Sequence, residues 1–121
     1  MKINSYYTYQ KSKNTRNTMF QFLKKLLFGK GPDLKPLLHE RKALILDVRT
    51  VPEFRMGHAK GSVNIPLQEL GQRMGELKKK NVPIVACCRT GARSGTATRM
   101  LRAAGMEVYN GGSWQNVARH L

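Results

Sequence analysis

The sequence predicts an α/β protein built on a central parallel sheet of four to five strands with helices on both faces. Three observations predict it. Short apolar runs that end in polar residues recur as "ALILDVR", "SVNIP", "VPIVACC" and "MEVYN", the pattern of strands buried on both faces. Segments with helical spacing separate these runs and short links join them, and that alternation folds as a parallel sheet covered on each side. Polar clusters close three of the runs, at Asp47-Val48-Arg49, at Cys88 and at Asn110-Gly111-Gly112. The carboxyl ends of parallel strands are where such sheets gather reactive groups.

The elements follow in order. Residues 1–32 read as a basic N-terminal extension, with seven Lys or Arg and no Asp or Glu. Its opening, "MKINSYYTYQKSKNTRNTM", is polar enough for a disordered tail and lacks the apolar stretch of a secretory signal; Met19 is a second plausible natural start. In "MFQFLKKLLFGKGPD", Phe20, Phe22, Leu23, Leu26 and Leu27 mostly share one helical face, with Gln21, Lys24 and Lys25 opposite. This segment is expected to pack on the domain's own surface, and contact of residues 19–28 with an anionic membrane surface is the sharper alternative. Residues 33–121 form the domain. "DLKPLLHERK" reads as a helix with Asp33 as N-cap. "ALILDVR" is the first strand, and "VPEFRMGHAKG" a turn-rich connection with one helical turn at 52–56. After the short strand "SVNIP", "LQELGQRMGELKKK" has helical periodicity, and Lys78, Lys79 and Lys80 suit the negative end of its dipole. "VPIVACC" is the third strand, "SGTATRMLRAAG" a helix closed by Gly105, and "MEVYN" the fourth strand. "GGSWQNVARHL" is a last helix with Ser113 as its cap.

The 121 residues suffice for one domain and a tail. The net charge of +15 comes from 22 basic and 7 acidic residues, and the part after residue 32 holds fifteen of the former and all seven of the latter. A basic balance fits nucleic acid, anionic lipid or small anions. The domain lacks the interleaved aromatic and basic residues of a single-strand binder, so no nucleic acid is expected. No apolar run reaches the ~18 residues of a membrane span. Cys87 and Cys88 are neighbours, with Cα atoms about 3.8 Å apart, a poor pair for a structural bridge. Reduced thiols fit a cytoplasmic setting. No His and Cys spacing indicates zinc, and neither a metal nor an organic cofactor is expected.

The chemistry is concentrated in "PIVACCRTGARSGTATRML". Between the strand and the helix from Ser94 lies a small-residue loop. Such a loop turns backbone N–H groups inward, and the helix start adds its positive end. A thiol there has a lowered pKa and is largely thiolate. Arg89 and Arg93 add charge, Gly91 allows close approach, and Ser94 caps the helix and faces the pocket; Thr90 and Ala92 complete the ring. Side chains alternate along a strand, so Cys88 faces the loop while Cys87 points into packing on the other face. A thiolate in such a cradle attacks either a sulfane sulfur, giving a persulfide, or a phosphate ester. The familiar phosphatase loop has five residues between Cys and Arg. Here Cys88 and Arg93 have four between them, which favours the smaller sulfur over a phosphatase or arsenate reductase.

Two long segments in the right order resemble the single-domain rhodanese, or thiosulfate sulfurtransferase, superfamily. "LILDVRTVPEFRMGHAKGSVNIP" (44–66) is similar to its N-terminal signature, and "VPIVACCRTGARSGTATRMLRAAGMEVYNGGSWQNV" (82–117) to its active-site strand, loop, helix and Gly-Gly-Trp segment. The resemblance covers about 33–119. It implies a rhodanese-like fold and a catalytic cysteine, at Cys88, that carries persulfide from a small anionic donor such as thiosulfate or another persulfide. Arg89 through Ser94 bind the donor, and the acceptor is cyanide or a thiol such as glutathione or a thioredoxin-like protein. A persulfide carrier without turnover is the main alternative. Asp47 and Arg49 support the site, read mainly as an internal ion pair bracing the loops. Glu53 and His58 are expected to bind each other or loop backbone, and Trp114 to pack the last helix on the sheet or near the pocket mouth.

Overall fold

Leu44, Leu46, Ile84, Ala86, Cys88 and Val108 alternate along their strands with Ile45, Asp47, Val85, Cys87 and Tyr109, and the two sets face opposite sides of one sheet. The computed structural model describes residues 31–121. The readings of the extension, of residues 19–28 and of Met19 therefore lie outside the described residues. Four strands, β1 (Leu44–Asp47), β2 (Val63–Asn64), β3 (Ile84–Cys88) and β4 (Val108–Ser113), pair in the order β2-β1-β3-β4. All three pairings are parallel.

The helices divide between the faces as the apolar pattern requires. On one side lie α3 (Leu67–Lys80) and α4 (Ala92–Ala103). Leu67, Leu70, Met74 and Leu77 recur at helical spacing along α3 and pack with Ala97 and Leu101 of α4 over Leu46, Ile84 and Val108. On the other side lie α1 (Pro36–Glu40) and α5 (Trp114–Arg119), whose Leu37, Leu38 and Val117 cover Ile45, Val85 and Cys87. A short helix, α2 (Val51–Arg55), leads out of β1. Leu46, Leu70 and Leu101 are completely buried, and truncating any of them to alanine costs about 2–5 kcal/mol.

Three local details differ from the sequence reading. The expected first helix is a single wide turn, in which the Arg41 N–H reaches Pro36 O at 3.0 Å. Lys42 adopts a left-handed backbone (φ 53) and Ala43 N–H closes on Leu37 O at 2.8 Å, so the chain enters β1 at once. Asp33 does accept an early N–H, that of Lys35 at 3.3 Å. The fourth helix starts at Ala92, two residues before Ser94, with Gly91 (φ 105) as its N-cap. β4 continues through Gly111-Gly112 to Ser113. Ala86 pairs with Asn110 and Cys88 with Ser113, so β4 spends one residue more than β3 over this stretch, which is a bulge.

Two helix ends match the sequence reading. Gly105 (φ 89) closes α4 in a paired cap: its N–H bonds Arg102 O at 2.9 Å and the Met106 N–H bonds Leu101 O at 3.1 Å. Ser113 caps α5 through Asn116 N–H at 3.1 Å. Among the described residues, no helix is long and apolar enough to cross a membrane.

Candidate active site

The strand order reverses direction between β1 and β3, and both strands end there, β1 at Asp47 and β3 at Cys88. Open parallel sheets expose their functional crevice at such a switch point. Cys88 is the last residue of β3, and α4 begins four residues later. The linking residues Arg89, Thr90 and Gly91 turn tightly, and Gly91 takes a left-handed φ that other residues rarely adopt. A side chain there would also press on Gly112 Cα, 3.3 Å from the Cβ position.

That turn aims hydrogen-bond donors at sulfur. Cys88 Sγ accepts from the Gly91 N–H at 3.0 Å and the Ser94 N–H at 3.4 Å, and Ser94 Oγ lies 3.3 Å away. Burial opposes a charged sulfur, since Cys88 is 1% exposed. The Ser94 hydroxyl and the N–H groups of Ser94, Gly91 and Thr90 outweigh burial and leave the thiol below its ordinary range. Cys87 sits on the opposite face, completely buried. Burial, then the nearby Asp47 carboxylate, push its thiol up to about 12.

The other ring residues are placed as follows. Thr90 Oγ1 accepts from Ala92 N–H at 3.5 Å, and Ala92 is exposed at the first turn of α4. Arg89 is exposed and makes no side-chain hydrogen bond among the described residues. Arg93 is already engaged: its Nη1 and Nη2 donate to Glu53 Oε1 and Oε2 at 2.7 and 2.9 Å. Ser94 does not cap α4; it lies inside the first turn, completely buried, with its hydroxyl against Cys88 and Asn110. The reason is the earlier helix start at Ala92.

Asp47 and Arg49 form a buried ion pair, Nη2 to Oδ2 at 2.7 Å. The guanidinium also donates to Glu53 O at 3.2 Å and Gly57 O at 2.7 Å, tying α2 to β1. Trp114 stacks its ring on Arg49 at 5.1 Å and faces Gly57. Glu53 does not meet His58. It completes a capping box with Thr50, accepting from Thr50 N–H at 3.2 Å, and pairs with Arg93. His58 stacks on Phe54 with ring centroids 3.7 Å apart, and its Nδ1 lies 2.8 Å from Phe54 O. No three His, Cys, Asp or Glu side chains converge as metal ligands among the described residues.

Sequence reasoning assigned no site role to Asn110 or Glu53. Thr50 and Glu53 spell a capping box, which would have fixed the carboxylate near the loop. Asn110 stood at a strand's carboxyl end, but nothing in the sequence indicated its reach across to Gly91.

Residues 30–119 match the family described as rhodanese-like domain. The chain belongs to the rhodanese-like family. It is 44% identical over 71 residues to the uncharacterized protein YqhL of Bacillus subtilis, covering 58% of this chain and 56% of that one. It is 40% identical over 63 residues to the putative sulfur carrier protein YrkF of Bacillus subtilis, covering 52% and 34%. It is 32% identical over 75 residues to the thiosulfate sulfurtransferase PspE of Escherichia coli, covering 60% and 72%. A solved structure described as rhodanese with anions from E. coli superposes with a TM-score of 0.56 at 34% identity, covering 63% of this chain and 92% of that one. The rhodanese-like match spans only part of the first two of these relatives.

Proposed function

We propose that this rhodanese-like protein carries sulfane sulfur as a persulfide on Cys88. The observation that supports it is the sulfur of a low-pKa thiol seated among N–H groups at the start of α4, with the neighbouring Arg93 already closed on Glu53. In the loading step the Cys88 thiolate attacks the outer sulfur of a donor. A new S–S bond forms to Cys88, the donor's own bond to that sulfur breaks, and the donor fragment leaves with the electron pair, as sulfite from thiosulfate or as thiolate from a persulfide. The N–H groups of residues 89–93 hold the resulting terminal sulfur anion. A thiolate acceptor then attacks that sulfur and releases the Cys88 thiolate.

The pairing of Arg93 favours carriage over rapid thiosulfate turnover. Backbone dipoles suffice for a monoanionic persulfide, whereas a dianionic donor gains most from a guanidinium that is not already neutralised. Turnover as a thiosulfate sulfurtransferase is the second reading, supported by the likeness to PspE and by the four residues between Cys88 and Arg93. Either reading needs a small anionic donor and a nucleophilic acceptor, a thiol or cyanide.

Loading separates the readings. The protein is incubated with thiosulfate or with glutathione persulfide, weighed intact, then given glutathione or cyanide. Carriage predicts one added sulfur on Cys88 from the persulfide donor, release to glutathione, and slow thiocyanate formation from thiosulfate. Sustained thiocyanate release supports the second reading. Absence of any sulfur adduct on Cys88 from both donors overturns both.

A further inference from the structure

Ser94 has one hydroxyl proton and two groups within reach of it. Its Oγ lies 2.7 Å from Asn110 Oδ1 and 3.3 Å from Cys88 Sγ. The Asn110 amide has only one workable orientation. Its Nδ2 donates to Gly91 O at 3.0 Å and its Oδ1 accepts from Gly112 N–H at 3.0 Å. Turned over, it would set two donors against each other at Gly112 and two acceptors against each other at Gly91. Oδ1 therefore faces Ser94, and since it carries no hydrogen, the proton between them is the serine's. With its proton on Asn110, Oγ offers Cys88 only lone pairs. Those suit a neutral thiol S–H and repel a thiolate.

We infer that Asn110 is a positioning residue that acts on Cys88 through Ser94, by competing with the sulfur for the single Ser94 hydroxyl proton. In the thiol, the chain of bonds runs from Cys88 S–H to Ser94 Oγ, and from the Ser94 O–H to Asn110 Oδ1. When the thiol proton leaves to solvent, the serine hydroxyl rotates and donates to the thiolate, while Asn110 Oδ1 keeps its bond from Gly112. Once Cys88 Sγ is bonded to a second sulfur, it has neither proton nor full charge, and the hydroxyl returns to Asn110. Ser94 neither gains nor loses an atom in this cycle. Its dipole serves the sulfur only while that atom is anionic. The proposal deepens the persulfide reading and rests on it for its purpose, but the competition itself belongs to the thiol and its two neighbours.

Other charged or titratable groups surround the sulfur. They are Arg93 on α4 with its partner Glu53 on α2, Arg89 in the loop, Cys87 on the same strand, and Asp47 with Arg49 at the end of β1. From β4 come Asn110 and Ser113, neither of which titrates. All the titrating groups remain in the variants that test the proposal.

The test is a double-mutant cycle read by the pH dependence of Cys88 alkylation with iodoacetamide, which needs no sulfur transfer. Ser94→Ala removes the donor and moves the midpoint up. Asn110→Ala removes the competitor and moves it down, giving roughly fivefold more thiolate below the midpoint, the equilibrium worth of about one neutral hydrogen bond. Added to Ser94→Ala, Asn110→Ala changes nothing further. An equal shift from Asn110→Ala with and without the Ser94 hydroxyl, or no downward shift in the single variant, overturns the proposal. If Asn110→Ala does not fold, Asn110→Asp replaces it. A carboxylate holds the hydroxyl proton harder, so the midpoint must rise more when Ser94 is present than in the Ser94→Ala background, and an equal rise overturns the proposal as surely. Failure of sulfur loading with this cycle intact would count against the proposed function and leave the competition standing.

Discussion

Glu53 and Arg93, forty residues apart in sequence, close on each other as a two-pronged ion pair at 2.7 and 2.9 Å. The pair joins the capped start of α2 to the first turn of α4, so the wall of the cysteine loop is tied to the helix that follows β1. It also neutralises the guanidinium that stands closest in sequence to the helix end of the loop. Both side chains are about one-third exposed, which keeps the pair within reach of substitution and of pH.

Freeing that guanidinium should favour a dianionic donor. Glu53→Gln is expected to lower the KM for thiosulfate by several-fold to about tenfold, the scale of one charge-assisted hydrogen bond. Steady-state thiocyanate formation measures it. An unchanged KM would mean that Arg93 takes no part in donor binding.

The same carboxyl sets an acid limit. Hydrogen bonding from Arg93, followed by that from Thr50, holds Glu53 down to about 2 against an ordinary 4.5. The folded pKa lies below the unfolded one, so the unfolded chain takes up the proton first. The stabilisation is complete above the ordinary carboxylate range and is lost as pH falls from about 4.5 towards about 2. Thermal unfolding of wild type and Glu53→Gln between pH 7 and pH 2 should show a Tm gap that is steady above pH 5 and narrows through that window. A gap independent of pH sinks this assignment.

The two cysteines should separate by pH alone. With Cys87 at about 12 and Cys88 below the ordinary thiol range, alkylation at pH 8 by a small haloacetamide should label only Cys88 in the folded protein. Cys88→Ser abolishes both labelling and sulfur loading. Cys87→Ser keeps them and loses about 1–3 kcal/mol of stability, because its hydroxyl is buried in an apolar cluster. Peptide mapping and denaturant titration read the two effects.

Glycines at different depths should respond in opposite directions. A Cβ on Gly111 would lie 2.7 Å from both Val117 Cγ2 and Val85 Cγ1, so Gly111→Ala is expected to destabilise by about 1–3 kcal/mol. Gly71 and Gly75 are exposed within α3 and a Cβ there meets nothing within 4 Å. Gly71→Ala should stabilise by roughly 0.5–1 kcal/mol, since glycine is a poor helix former. Denaturant midpoints at constant slope test both signs.

Much of the fold was legible because it rests on local signals. Apolar runs such as "LILD" and "IVACC" mark the strands, Ser113 and Gly105 mark helix ends, and strand alternation sorts Cys87 from Cys88. The site was less legible where it depends on groups that meet across the sheet. The Asn110 amide reaches Gly91 O only because β4 lies beside β3 and bulges there. Glu53 reaches Arg93 only because the Asp47 and Arg49 pair pins α2 at the end of β1. The first helix forms where its residues favour one, but the need to enter β1 by Leu44 ends it at Glu40.

The bulge in β4 also limits how the chain can change in length. Its extra residue lets Asn110 reach back to the Gly91 loop while Ser113 still begins α5. Removing one glycine from Gly111-Gly112 would pull on both attachments at once, and inserting one would slacken both. The exposed link between α3 and β3 makes its backbone bonds to Lys78 and Leu44 and none to the cysteine loop. Length variation is thus affordable at one end of the sheet and closed at the other, where the spacing of three residues works as a ruler between the sulfur's surroundings and the last helix.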